Sequence, residues 1–166
     1  MPSRAPQPHS LASCATSTRP RPDSPSASVH RTGVASEPSS FDVVLNEAVL
    51  RRPIGGDAGM VSQLERLREA SELPNVTIKV VPFSAGLHLG VLTGAFGILR
   101  FPLNGDGSES EPPTVYADGF TGALYLDKPH EVERYDNVFR NLQQTALDDQ
   151  ASRRLISEVA GSYGQG

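Results

Sequence analysis

Cysteine is nearly missing from this 166-residue chain: Cys14 stands alone. No intrachain disulfide can form, and no pair of thiolates exists to hold a structural zinc ion. A reducing compartment, the cytoplasm, is the expectation. Tryptophan is absent, so six Phe and four Tyr supply all the aromatic surface. No run approaches the roughly 18 apolar residues of a membrane span, and the N-terminal residues lack the apolar stretch of about 7 to 15 that a signal peptide carries. Leu11-Ala12-Ser13-Cys14 resembles a lipoprotein cleavage box, but Ala5-Pro6-Gln7-Pro8-His9-Ser10 before it is polar and broken by proline. No membrane partner is expected. Glycine signatures that cradle phosphate are missing as well: no Gly-Lys-Ser/Thr occurs, Gly119-Phe120-Thr121-Gly122 is too short, and there is no Gly-x-Ser-x-Gly elbow.

Positive charge is also in short supply, with 15 Lys and Arg against 19 Asp and Glu. It is unevenly spread: residues 1–40 carry four Arg and two acids, and the remainder carries eleven basic and seventeen acidic residues. The larger part therefore repels phosphate backbones on average. Arg4, Arg19, Arg21 and Arg31 are scattered among prolines and do not form a nucleic-acid arm.

What is present divides into three stretches. Residues 1–40 hold seven of the fourteen prolines, ten serines and no aromatic residue, which reads as a disordered Pro/Ser/Arg-rich tail with little to offset the entropy of ordering. A start assigned too far upstream, or a frame reaching a domain whose usual N-terminal partner is lost, would produce such a segment as readily as a functional linker. Residues 41–163 carry one continuous hydrophobic pattern, enough for a single domain with its own core. Residues 164–166 are terminal.

Within 41–163 the pattern predicts an α/β (α+β) fold. Its sheet is small, mixed or antiparallel, with about four to five strands, and packs with an amphipathic helix and two C-terminal helices. Phe41 to Leu50 reads as a strand running into a short turn or helical stub, and Asn75 to Phe83 as a half-buried strand through Val76, Ile78 and Val80. Gly94 to Phe101 and Thr114 to Ala117 read as a hairpin around the Gly-, Ser- and acid-rich loop Asn104 to Pro113. Met60, Leu64, Leu67 and Ala70 fall on one helical face, with Asp57 as candidate N-cap and Leu73-Pro74 as the stop. Val132, Tyr135, Phe139, Leu142 and Ala146 form the strongest stripe, opened by Asp127-Lys128-Pro129. Asp148-Asp149 caps a last helix with Leu155, Ile156, Val159, Ala160 and Tyr163 inward.

Chemistry is harder to find. Glu47 interrupts an apolar run, either as a carboxylate pairing with Arg51 or Arg52 or as an acid lining a pocket. His9, His30, His88 and His130 share no metal-ligand spacing. His88 lies between glycines in a strand-connecting loop, either bonded to backbone or facing a cleft. Tyr116, Asp118 and Tyr125 cluster near later strand ends, where a carboxylate and phenols could bind a small ligand or serve structure alone. Asn104, Asp106, Ser108 and Ser110 alternate like oxygen donors, but the loop lacks the glycine and closing glutamate of a calcium site. The expectation is no catalytic residue, no metal and no cofactor. An enzyme would need Glu47 or Asp118 to meet His88 in a concave pocket.

Leu73-Pro74-Asn75-Val76, the Phe83…Gly86…His88 loop, Val115-Tyr116 followed by Gly119, Tyr125-Leu126-Asp127 and the Tyr135…Phe139 helix occur here in that order. In this combination the chain resembles the C-terminal domain of unknown function of actinobacterial Xre-type helix-turn-helix regulators, antitoxin-like transcriptional regulators of a toxin-antitoxin-like family. The resemblance covers nearly all of 41–161. It implies a non-catalytic regulatory or interaction domain, the effector- or partner-binding half of such a regulator. Its partner would be a small protein from a neighbouring gene or a second copy of itself. About 40 tail residues cannot supply a helix-turn-helix core, so DNA is expected to be reached only indirectly. The alternative is a small-molecule-sensing module with a pocket near His88, Tyr116 and Asp118. The candidate binding residues on either reading are His88, Tyr116, Asp118, Gly119 and Tyr125.

Overall fold

The computed structural model describes residues 14–17, 39–108 and 110–165. Its strands are β1 (Cys14–Ser17), β2 (Phe41–Asn46), β3 (Val76–Val81), β4 (Phe96–Leu99), β5 (Thr114–Gly119) and β6 (Gly122–Leu126). Its helices are α1 (Glu47–Arg51), α2 (Gly56–Ala70), α3 (Leu89–Thr93), α4 (Pro129–Thr145) and α5 (Asp149–Tyr163), with one 3₁₀ turn at Phe83–Ala85. The expected α+β class, the amphipathic helix and the two C-terminal helices are all present.

The strands form a single mixed sheet in the order β3-β2-β1-β4-β5-β6. β2 and β3 are parallel, and the crossover between them is made by α1 and α2. β4, β5 and β6 are antiparallel neighbours. β1 bridges the halves, antiparallel to β2 and parallel to β4. Here the structure departs from the expected tail. Cys14–Ser17 is a strand in the middle of the sheet, and the other expected tail residues, 1–13 and 18–38, lie outside the described ones. Cys-Ala-Thr-Ser carries too little apolar surface to announce a strand. Its ladders to β2 on one side and β4 on the other decide its conformation, a case of tertiary context overriding propensity.

The period-two pattern of the strands sends side chains to two cores. On one face Val44, Val81, Phe96, Ile98, Val115 and Ala117 pack under α4, which contributes Val132, Phe139 and Leu142. On the other, Val43, Leu45, Ile78 and Val80 pack under α2 and α5, met by Met60, Leu64, Ile156 and Val159. Each helix thus buries the stripe its spacing predicts. The caps are only partly as expected. Asp148 accepts from the Ala151 N–H at 2.7 Å and caps α5. Gly55 occupies the N-cap of α2, leaving Asp57 in the first turn, and Lys128 occupies that of α4, one residue after Asp127. Arg100, just beyond β4, is salt-bridged to Asp136 of α4.

The two edges of the sheet differ. On β3 the Val80 N–H donates to Ser152 Oγ at 3.0 Å, and the Val80 carbonyl accepts from the Leu147 N–H at 2.9 Å. Lys79 adds a charge there, 3.9 Å from Asp149. The junction of α4 and α5 therefore seals that edge in the way natural sheets avoid edge-to-edge pairing. β6, at the other end, has no such cover among the described residues.

Candidate functional site

Asn46 closes β2, and its Oδ1 accepts from the Ala48 N–H at 2.8 Å, capping α1. That bond fixes the amide: Nδ2 must face away from the helix, and it donates to His88 Nε2 at 2.8 Å. Nε2 can accept only on a neutral ring, so the ring proton sits on Nδ1. His88 is 9 % exposed, and its Nδ1 has no hydrogen-bond partner among the described residues. The expected backbone partner is thus replaced by a side chain. A cavity of about 10 Å³, lined by Val44, Asn46, Val81, Gly90, Gly94 and Leu142, adjoins the ring. Gly90 is needed for that space, because a Cβ there would lie 3.2 Å from His88 Nδ1 and 3.1 Å from Leu142 Cδ2.

Glu47, next along, is 7 % exposed and takes the first of its two expected roles. One carboxylate oxygen accepts from Arg51 Nε at 2.7 Å, and the other accepts from the Phe83 N–H at 2.7 Å. Burial disfavours the charge, yet the Phe83 N–H, the Arg51 hydrogen bond and the Arg51 charge together outweigh it and hold the carboxyl below its ordinary value. Both oxygens are committed, so Glu47 anchors the 3₁₀ turn to α1.

The segment that starts at this anchor exposes apolar side chains. Phe83, Leu87, Val91 and Leu92 are more than half exposed, and Leu89 is 40 % exposed. Gly86 and Gly94 flank α3 with φ of 67° and 73° and ψ of −144° and −164°, a conformation essentially restricted to glycine. The backbone therefore holds Leu87, Val91 and Leu92 outward while Gly90 turns inward.

Tyr116 and Tyr125 are cross-strand partners on β5 and β6, with ring centroids 5.3 Å apart in an edge-to-face arrangement. Asp118 lies on the same face as Tyr116, two residues along, and Gly119 pairs with Gly122 at the mouth of the two-residue turn. Strand alternation puts Val115 and Ala117 under α4, so Tyr116, Asp118 and Tyr125 point to the opposite face. His88 is on the α4 side, beside Val44, Val81 and Leu142. The expected common pocket of His88, Tyr116 and Asp118 is therefore divided by the sheet itself. The Asn104–Ser110 loop bonds its oxygens to itself: Asp106 Oδ1 accepts from the Ser108 N–H at 2.9 Å and from Ser108 Oγ at 2.6 Å. Among the described residues no group of three His, Cys, Asp or Glu is placed to hold a metal ion, and no helix is long and apolar enough to cross a membrane.

A family model described as a domain of unknown function, DUF5753, matches residues 13–158. The chain belongs to the DUF5753 family. No match is found among curated proteins or solved structures. The DUF5753 match opens one residue before β1 and runs into α5, so it takes in all six strands. The exposed α3 segment and the Asn46–His88 pair both lie within it. Sequence reasoning located His88 but missed Asn46 and the α3 surface. Only the apolar excess of Leu87, Leu89, Val91 and Leu92 between two glycines could have signalled the latter.

Proposed function

We propose that this DUF5753 domain is a non-catalytic contact module, the partner-binding half of an Xre-type, antitoxin-like regulator, whose DNA contacts are made by a helix-turn-helix outside the domain. The observation that carries the reading is the group of exposed Phe83, Leu87, Leu89, Val91 and Leu92 on one short segment, turned at Gly86 and Gly94 and tied to α1 by the Glu47 anchor. Large exposed apolar patches on otherwise polar surfaces are most often sites of protein contact. The buried polar groups nearby support the same reading, because Glu47 and Asn46 spend their hydrogen bonds on structure.

The sensing alternative keeps only its His88 half. An unpartnered Nδ1–H beside a cavity is what an acceptor group on a ligand would seek, but about 10 Å³ admits roughly one water molecule, against the about 300–1,000 Å³ of small-molecule pockets. A metabolite would have to displace α3 to enter.

The contact reading is tested by titrating the purified chain, in a calorimeter, with a small protein from a neighbouring gene, the partner that the resemblance implies. A Leu87→Asp/Leu92→Asp double variant should lose binding while keeping the parental melting temperature, since both side chains are exposed. Unchanged binding by that variant would sink the proposal. Stabilisation by a metabolite in a thermal-shift screen, abolished by His88→Phe, would favour the sensing reading in its place.

A further inference from the structure

A different surface carries a second contact. β6 reads Gly122-Ala123-Leu124-Tyr125-Leu126 and contains no charge, no proline and no bulge, the usual devices that keep an edge strand from pairing. Leu124 is 57 % and Tyr125 70 % exposed, and Phe120 in the adjoining turn is fully exposed. The two-residue turn Phe120–Thr121 makes Gly119 and Gly122 the first hydrogen-bonded pair, so Ala117/Leu124 and Val115/Leu126 are the next ones. The N–H and C=O groups of Ala123 and Tyr125 consequently point off the sheet.

We infer that β6 is the dimerisation edge of this domain, pairing antiparallel with β6 of a second copy about a two-fold axis through Leu124. In this register Ala123 faces Tyr125 of the other copy, and the reciprocal pair forms on the far side of the axis. The outward groups of both copies are thereby used without remainder. Side-chain sizes agree: Tyr125 lies across from alanine, Leu126 across from Gly122, and Leu124 meets Leu124 on the α4 face. No like charges are brought together, because the strand has none. The opposite edge explains why assembly stops at two. Val80 is already bonded to Ser152 and Leu147 and α5 packs along β3, so β3 offers no continuous open edge, and pairing through β6 gives a closed, isologous pair. A seam built on a five-residue strand engages far fewer residues than the roughly 20–30 a side of a standard interface, so the dimer depends on concentration.

Sedimentation velocity of the intact chain over a wide concentration range tests this. A monomer–dimer equilibrium is expected. Ala123→Pro removes an outward N–H that the sheet itself does not use, and Leu124→Lys sets two ammonium groups face to face. Both should give monomers with the parental circular dichroism. Register is read by cysteine scanning: Leu124→Cys should cross-link across the axis in a thiol–disulfide buffer, because directly opposed residues of a non-hydrogen-bonded pair lie about 4.5 Å apart at Cα, within disulfide reach. Tyr125→Cys faces Ala123 and should cross-link no faster than the parent chain with its single Cys14. Monomers at every concentration overturn the proposal, as does a dimer that survives both Ala123→Pro and Leu124→Lys. A monomer whose Ala123 and Tyr125 amides exchange slowly overturns it too, since the edge would then be covered by the chain's own residues. A dimer lost in Leu87→Asp/Leu92→Asp but not in the β6 variants would assign self-association to α3 and end this proposal while leaving the contact reading of α3 in place.

Discussion

Ser152→Ala should destabilise the domain well beyond what an exposed helical serine does. Ser152 is fully buried on α5, where its Oγ accepts from the Val80 N–H at 3.0 Å and donates to the Leu147 carbonyl at 3.3 Å. Alanine leaves a buried backbone N–H without a partner, at a cost of about 1–3 kcal/mol. Alanine also favours the helix by roughly 0.5 kcal/mol over serine, so the net loss is about 0.5–2.5 kcal/mol. For a domain of this size, at roughly 3–5 °C per kcal/mol, that lowers the melting temperature by on the order of 2–10 °C. Ser157, on the exposed side of the same helix, bonds only the Arg153 carbonyl within its own helix at 3.0 Å. Ser157→Ala removes no partner from a buried group and should be neutral or slightly stabilising. Urea and thermal melts of the two variants beside the parent decide the matter. Equal effects, or a Ser152→Ala variant as stable as the parent, would refute the claim that this hydroxyl seals the β3 edge.

Glu47→Gln should weaken the domain near neutral pH and lose its effect in acid. The folded carboxyl is held below its ordinary value of 4.5, so its stabilising contribution is complete above that value and is lost as pH falls through 4.5 and on through the lower folded value. Urea midpoints of parent and variant should therefore converge on acidification, and a gap that stays constant from neutral to acid would contradict the Arg51 and Phe83 bonds. Gly90→Ala should cost about 1 kcal/mol, since an overpacking penalty of about 1–3 kcal/mol outweighs a helical gain of roughly 0.5–1 kcal/mol. The same variant should shift the Asn46 side-chain amide resonances, because the new methyl group presses on the His88 ring. An unmoved Asn46 amide would show that the ring is not held as described.

Much of this fold was legible where spacing is dictated by packing. The stripe Val132, Phe139, Leu142 marks a helix with one apolar face, to be covered by a sheet or by a partner, and it lies on the sheet's core. Val76 to Val81 alternates because Val76, Ile78 and Val80 face the core under α2 and α5 while Thr77 and Lys79 lie on the other, less buried face. β1 was illegible because Cys14–Ser17 owes its conformation to two ladders formed with residues far along the chain, and nothing local records them. β6 hid for a related reason: Leu124, Tyr125 and Leu126 run together without polar alternation, a pattern expected of a strand buried on both faces, whereas β6 is largely exposed. The site divides along the same line. Glu47 and Arg51 are four residues apart, so their pairing follows from helical geometry, whereas Asn46 and His88 are joined only by the tertiary fold. Clustering Tyr116 and Asp118 with His88 failed because which face a strand residue takes depends on which helix covers which side, and sequence spacing alone does not give that.

A single six-stranded sheet, with β1 in its middle, holds both the α3 surface and the β6 edge in place. Removing residues 1–17 tests it most directly, with cooperative unfolding and amide exchange as the readouts. Without β1, β2 and β4 each lose a ladder, so the melting midpoint should fall far, with faster exchange among residues 42–45 and 96–98, which pair with β1. A shortened chain that melts like the parent, with those amides equally protected, would contradict it.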